Sequence, residues 1–154
     1  MAAFLKGAAG LLLAYLILHF QGQILPKSFP YPDGFLIFVV YHAITRSQIP
    51  ATLVGTAAGL VEDTLSWPFG INALTKTTIG YFISGLGSQL LLNQPLPQFL
   101  ILFAATGVEE ILQRIFLVLI GQSFLWPSLL PLAEEGLLNA ALGVLVFRIV
   151  NHFH

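Results

Sequence analysis

Ala58-Gly59-Leu60-Val61-Glu62-Asp63-Thr64-Leu65-Ser66-Trp67-Pro68-Phe69-Gly70-Ile71-Asn72-Ala73-Leu74 is the stretch on which the fold turns. Its first residues close an apolar run that starts at Ile49, and its last residues open another that continues to Leu92. Between the two stand a pair of carboxylates and a segment in which Pro68 and Gly70 stop any helix. The reading is a helical hairpin with Trp67 at the level of lipid headgroups. Asp63 can accept hydrogen bonds from the turn backbone, and Asn72 can cap the second helix. Lys76, just inside that helix, can meet Glu62 and Asp63 across the turn as an ion pair outside the hydrocarbon.

The rest of the 154 residues has the same texture: 56% are apolar and only 8% charged, against about a quarter charged in soluble domains. Six Lys and Arg with seven Asp and Glu cannot cover a water-soluble globule of this size, which excludes a cytosolic enzyme. High hydrophobicity excludes a disordered chain. A formal net charge of -1 supplies no field for nucleic acid. With no cysteine there is no disulfide, thiolate nucleophile or cysteine metal site, and no cofactor is implied.

A spanning helix needs about 20 mostly apolar residues. Six fit, over about 4–25, 34–46, 48–65, 71–92, 97–121 and 128–150. The first reads as a retained helix rather than a cleaved leader, because only Lys6 precedes it and His19 to Gln23 stand where small cleavage-site residues belong. Three prolines and Gly34 break the chain at 26–34, with Lys27 and Asp33 placed in water. Ser47 can cap a helix that admits Pro50 in its first turn. The fold expected is an all-α membrane protein, one compact bundle of six transmembrane helices in a single domain, 1–154. Lys6, Arg46 and Arg148 fall on one side and Lys27 and Lys76 on the other, which favours both termini in the cytoplasm.

Charges at membrane depth are the candidate functional groups, since each costs about 2.5–3.5 kcal/mol near the bilayer centre. Glu110 and Arg114 stack four apart on the fifth span. Glu109 faces about 100° away, with Gln113 within reach as a partner. Glu134, Glu135 and Asn139 on the last span can approach them if the two helices pack antiparallel. Together these residues read as a polar network that fixes helix register or, alternatively, as a proton or ligand site. Small residues four apart, Gly55 with Gly59, Gly80 with Ser84 and Ser88, and Gly136 with Ala140, clear stripes for helix contact, within the bundle or with another membrane helix.

Gly59-Leu60, Asp63, Pro68, Gly70, Asn72-Ala73-Leu74 and Gly80-Tyr81 together resemble the MreD family of bacterial rod-shape-determining membrane proteins, most clearly over residues 30–90. Glu62 departs from the family pattern, where an apolar residue is more usual. The resemblance implies a non-enzymatic scaffold of the bacterial cytoplasmic membrane, paired with MreC, a single-span protein. Through MreC it would reach the MreB-type filament and the wall-synthesis enzymes of cell elongation. It assigns no catalytic residues. The family is similar in architecture to the six-helix substrate-binding subunits of energy-coupling-factor transporters, which implies an alternative: a binder of a small molecule or lipid, with Gly10 and Ala14 toward a partner. Glu109-Glu110-Ile111-Leu112-Gln113-Arg114 also resembles the Glu-Glu-x-x-x-Arg motif of CAAX-type intramembrane proteases. There the order of motifs is wrong, since Phe38-x-x-x-His42 precedes the glutamates and Glu135-x-x-x-Asn139 stands where a histidine should be.

Overall fold

The computed structural model describes residues 12, 15, 16, 31–87, 94–123 and 128–152. Among these residues the only regular structure is helical, with five helices and no strand. They are α1 (Gly34–Thr45), α2 (Gln48–Asp63), α3 (Ile71–Gly87), α4 (Pro95–Leu119) and α5 (Leu129–His152). The first expected span falls outside the described residues except for Leu12, Tyr15 and Leu16, as do Gly10, Ala14 and Ser88.

Local chemistry sets the helix ends. Asp33 Oδ1 accepts from the backbone N–H groups of Phe35 and Leu36, at 2.8 and 2.9 Å, and so starts α1. Ser47 stands at the N-cap of α2 without a side-chain bond. Pro95 opens α4 where a missing N–H costs nothing. Gly121, at φ 78°, closes α4: its N–H bonds Val118 O and that of Gln122 bonds Leu117 O, both at 3.0 Å. That is the paired pattern of a glycine-terminated helix.

The helices differ in length. At 1.5 Å per residue α1 spans about 18 Å, whereas α4 and α5 each span about 36 Å. Residues Leu129–Asn151 form a helix long and apolar enough to cross a membrane; α1 is apolar but short.

Small residues are consumed inside the bundle. A Cβ on Gly55 would collide with the carbonyl of Lys76, and one on Gly59 with the backbone of Asn72 and Ala73. One on Gly80 would lie 2.8 Å from Ala51 O. The Ser84 hydroxyl donates to Arg46 O at 2.8 Å, and Gly136 sits against the Phe103 ring. Ala140 is buried in the core with Leu36, Val40, Leu102 and Phe147. The described stripes are thus the seams of α2 on α3 and of α4 on α5, and Gly55 and Gly59 present no free face to another protein.

Candidate functional site

At the α2–α3 turn Asp63 is 2% exposed, and its two oxygens each accept a backbone N–H at 3.0 Å, one from Asn72 and one from Ala73. Asp63 is therefore the cap of α3, standing in sequence eight residues before the helix it caps. This corrects two expectations. Asn72 is the second residue of α3 and not its cap; its side chain donates to Ser66 Oγ at 2.7 Å and accepts from Gln113 Nε2 at 2.9 Å. Asp63, for its part, does not pair with Lys76. The Trp67–Pro68 peptide is cis, Gly70 takes φ 99°, and Trp67 and Phe69 stand exposed on the turn.

Lys76 lies at the centre of the molecule. Its side chain is fully buried, although the sequence reading put it outside the hydrocarbon. Its Nζ donates to Asp33 Oδ2 at 2.9 Å and to Glu109 Oε1 at 2.5 Å. Glu62 Oε2 stands 2.5 Å away as an ion pair, outside hydrogen-bond alignment. An ammonium has three hydrogens, and here it faces three carboxylates. Burying a charge is costly unless it is paired and hydrogen-bonded, and this arrangement supplies both. The carboxylates come from the start of α1, the end of α2 and the middle of α4, so one lysine ties three other helices to α3.

Glu109 is therefore partnered by Lys76 and not by Gln113. Asp33, expected in water, is a member of the buried cluster; the sequence signal was present in an Asp-Gly pair opening an apolar run. Its backbone N–H donates to Asn139 Oδ1 at 2.7 Å, and Asn139 Nδ2 donates to Thr106 Oγ1 at 3.0 Å, which draws α5 into the network. Thr106 was missed because threonine in an apolar helix carries no charge to mark it.

Glu110 and Arg114 pair along one face of α4: Oε2 accepts from Nε at 3.0 Å and from Nη2 at 2.8 Å. Both are about a quarter exposed, so the pair borders the cluster. Glu135 lines a half-open cavity of about 200 Å³ together with Tyr31, Pro32, Asp33, Glu62, Thr106, Glu109, Glu110 and Gln113. Glu134, one residue earlier, points away and is exposed.

Asp33, Glu62 and Glu109 have ligand atoms within 4.8 Å of one another, a spacing able to hold a metal ion. The Lys76 ammonium stands where that ion would, and serves as the cation. Each glutamate of the Glu109-Glu110-x-x-x-Arg114 motif is turned toward a basic side chain. His42 lies on α1 with its ring 4.5 Å from that of Phe38, nine residues, or about 14 Å, along the helix from Asp33. Among the described residues no histidine stands beside the glutamates to activate water with them.

A family model described as rod shape-determining protein MreD matches residues 4–152. The chain belongs to that family. The MreD match extends well beyond the 30–90 segment in which the motif is legible, and takes in every residue of the buried cluster. MreD proteins are membrane proteins that act in determining rod shape and are not known as enzymes. Searches of curated proteins and of solved structures returned no match.

Proposed function

We propose that this chain is a non-enzymatic scaffold of the cell-elongation machinery, built as six transmembrane helices in the bacterial cytoplasmic membrane with both termini inside. In this reading it pairs with an MreC-like single-span protein. Through that partner it organises the MreB-type filament and the enzymes of lateral peptidoglycan synthesis. Membership of the family supports it, but the observation that carries it is the use made of the charged groups. Lys76 engages Asp33, Glu62 and Glu109 from three other helices, and Arg114 engages Glu110 along α4, so these acids face basic side chains instead of a reacting bond. Gentle purification from a rod-shaped bacterium should bring down a single-span protein in stoichiometric amount, and depletion should round the cells. A lone protein on purification, or rods that persist through depletion, would refute the proposal.

A second reading is favoured by the half-open cavity at Glu135: a small-molecule or lipid binder with the architecture of energy-coupling-factor binding subunits. Mass spectrometry of the gently purified protein decides it, since this reading requires a stoichiometric bound molecule.

A further inference from the structure

The short helix α1 begins at an unusual height. Asp33 bonds Lys76 and, through its N–H, Asn139, while Lys76 bonds Glu109. Glu109 lies ten residues before the end of α4 at Leu119, and Asn139 ten residues after the start of α5 at Leu129. At 1.5 Å per residue, Asp33 therefore sits about 15 Å below the ends of the two long helices. In a hydrocarbon core about 30 Å thick that is near mid-depth.

The backbone at 31–33 is not helical, and Tyr31, Pro32, Asp33 and Gly34 are each only partly buried. Irregular backbone at membrane depth is tolerated where it is buried in protein or lines a water-filled cavity. Partial burial leaves the second condition, and residues 31–33 line the half-open cavity. Glu135 gives a separate argument. It lines the same cavity and makes no hydrogen bond or ion pair among the described residues, and a carboxylate about 9 Å below the end of α5 without water or a counter-charge is costly. Gln113, Glu110 and Glu135 all lie on the side of Glu109 toward the α2–α3 turn.

We infer that this cavity is a water-filled vestibule, open to the face of the membrane that carries the α2–α3 turn and ending at Lys76. The inference rests on the membrane reading above. The rest of the bundle, from Lys76 to the Arg46–Ser47 turn, is the dry barrier: its core is Leu36, Val40, Ala43, Ile79, Ile83, Leu102 and Phe147.

The absence of cysteine makes the test direct. Single variants Glu135→Cys and Gln113→Cys, the first of which breaks no bond, are exposed in right-side-out vesicles to a charged, membrane-impermeant maleimide. Gln122→Cys in the α4–α5 connector reports full access, Ser47→Cys the opposite face, and Ile111→Cys, on the exposed face of α4 at similar height, the lipid. The vestibule variants should react at rates close to that of Gln122→Cys and on the order of 100-fold faster than Ile111→Cys, the penalty for taking a charged reagent into lipid. Glu135→Cys and Gln113→Cys as slow as Ile111→Cys would overturn the vestibule, as would labelling only from the face of Ser47→Cys. Fast labelling of Ile111→Cys would instead overturn the membrane reading.

Discussion

Replacing Lys76 by methionine removes the one cation at the meeting point of α1, α2, α3 and α4. Methionine keeps most of the volume, so the effect is electrostatic rather than a cavity. Three carboxylates, with oxygens within 4.8 Å of one another, then face each other without their counter-charge. At an effective dielectric of about 20, two unit charges 4.8 Å apart repel by about 3.5 kcal/mol. Removing one partner of a buried pair costs about 3–5 kcal/mol in measured cases. For a protein of this size that is a fall in melting temperature of roughly 10 °C or more. Melting in detergent, followed by tryptophan fluorescence, reads it. Adding Glu109→Gln and Glu62→Gln to Lys76→Met should recover part of the loss, because it removes the repulsion that the single change creates. If Lys76→Met lowers the melting temperature by less than a few degrees, or the added changes make it worse, the cluster does not hold the helices together.

Three further outcomes follow from the same contacts. Asp63→Ala strands two buried N–H groups at the start of α3 and should cost about 1–3 kcal/mol, with Asp63→Asn milder; the same melting assay ranks them. Gly59→Ala should be strongly destabilising, because its methyl collides with backbone of α3, whereas Gly107→Ala meets nothing within 4 Å and should be neutral or gain up to about 1 kcal/mol. Glu110→Gln breaks only the part-exposed pair with Arg114 and should change stability by no more than about 1 kcal/mol. Co-purification of a single-span partner should also survive Glu110→Gln.

The helices were legible because prolines, glycines and polar clusters punctuate long apolar runs. Their lengths were less so: α2 ends at Asp63 because that carboxylate turns to cap α3, and no propensity at residues 62–65 announces it. Glu109, Glu110 and Arg114 could be singled out from their charge within an apolar helix, whereas Asp33 and Thr106 were not seen as members of the network. The local pair of Glu110 with Arg114 could be read from their spacing, but the long-range partners could not. Sequence spacing offers Glu109 a neighbour in Gln113, yet the partner that wins is Lys76, 33 residues away, because only tertiary packing reveals which side chains meet across helices. Asp33 was misplaced for a related reason: a loop rich in proline suggests water, and the structure carries the end of that loop down into the bundle. Gly55 and Gly59 stand four apart and so suggest a close helix contact, but sequence alone cannot say whether the neighbour is the same chain or another protein. In the folded chain the neighbour is α3, whose backbone lies against both glycines.

The order of Asp33, Glu62, Lys76 and Glu109 along the chain bears on how the protein is made. Both acids that precede the lysine leave the ribosome before it does, and Glu109 follows only 33 residues later. If α3 inserts as one of the six spans proposed above, its ammonium meets two anions already delivered, and the nascent intermediate need not carry a bare cation into lipid. A permuted gene that encoded α3 first would lose that protection at the translocon, even though its finished product would have the same four groups in the same place.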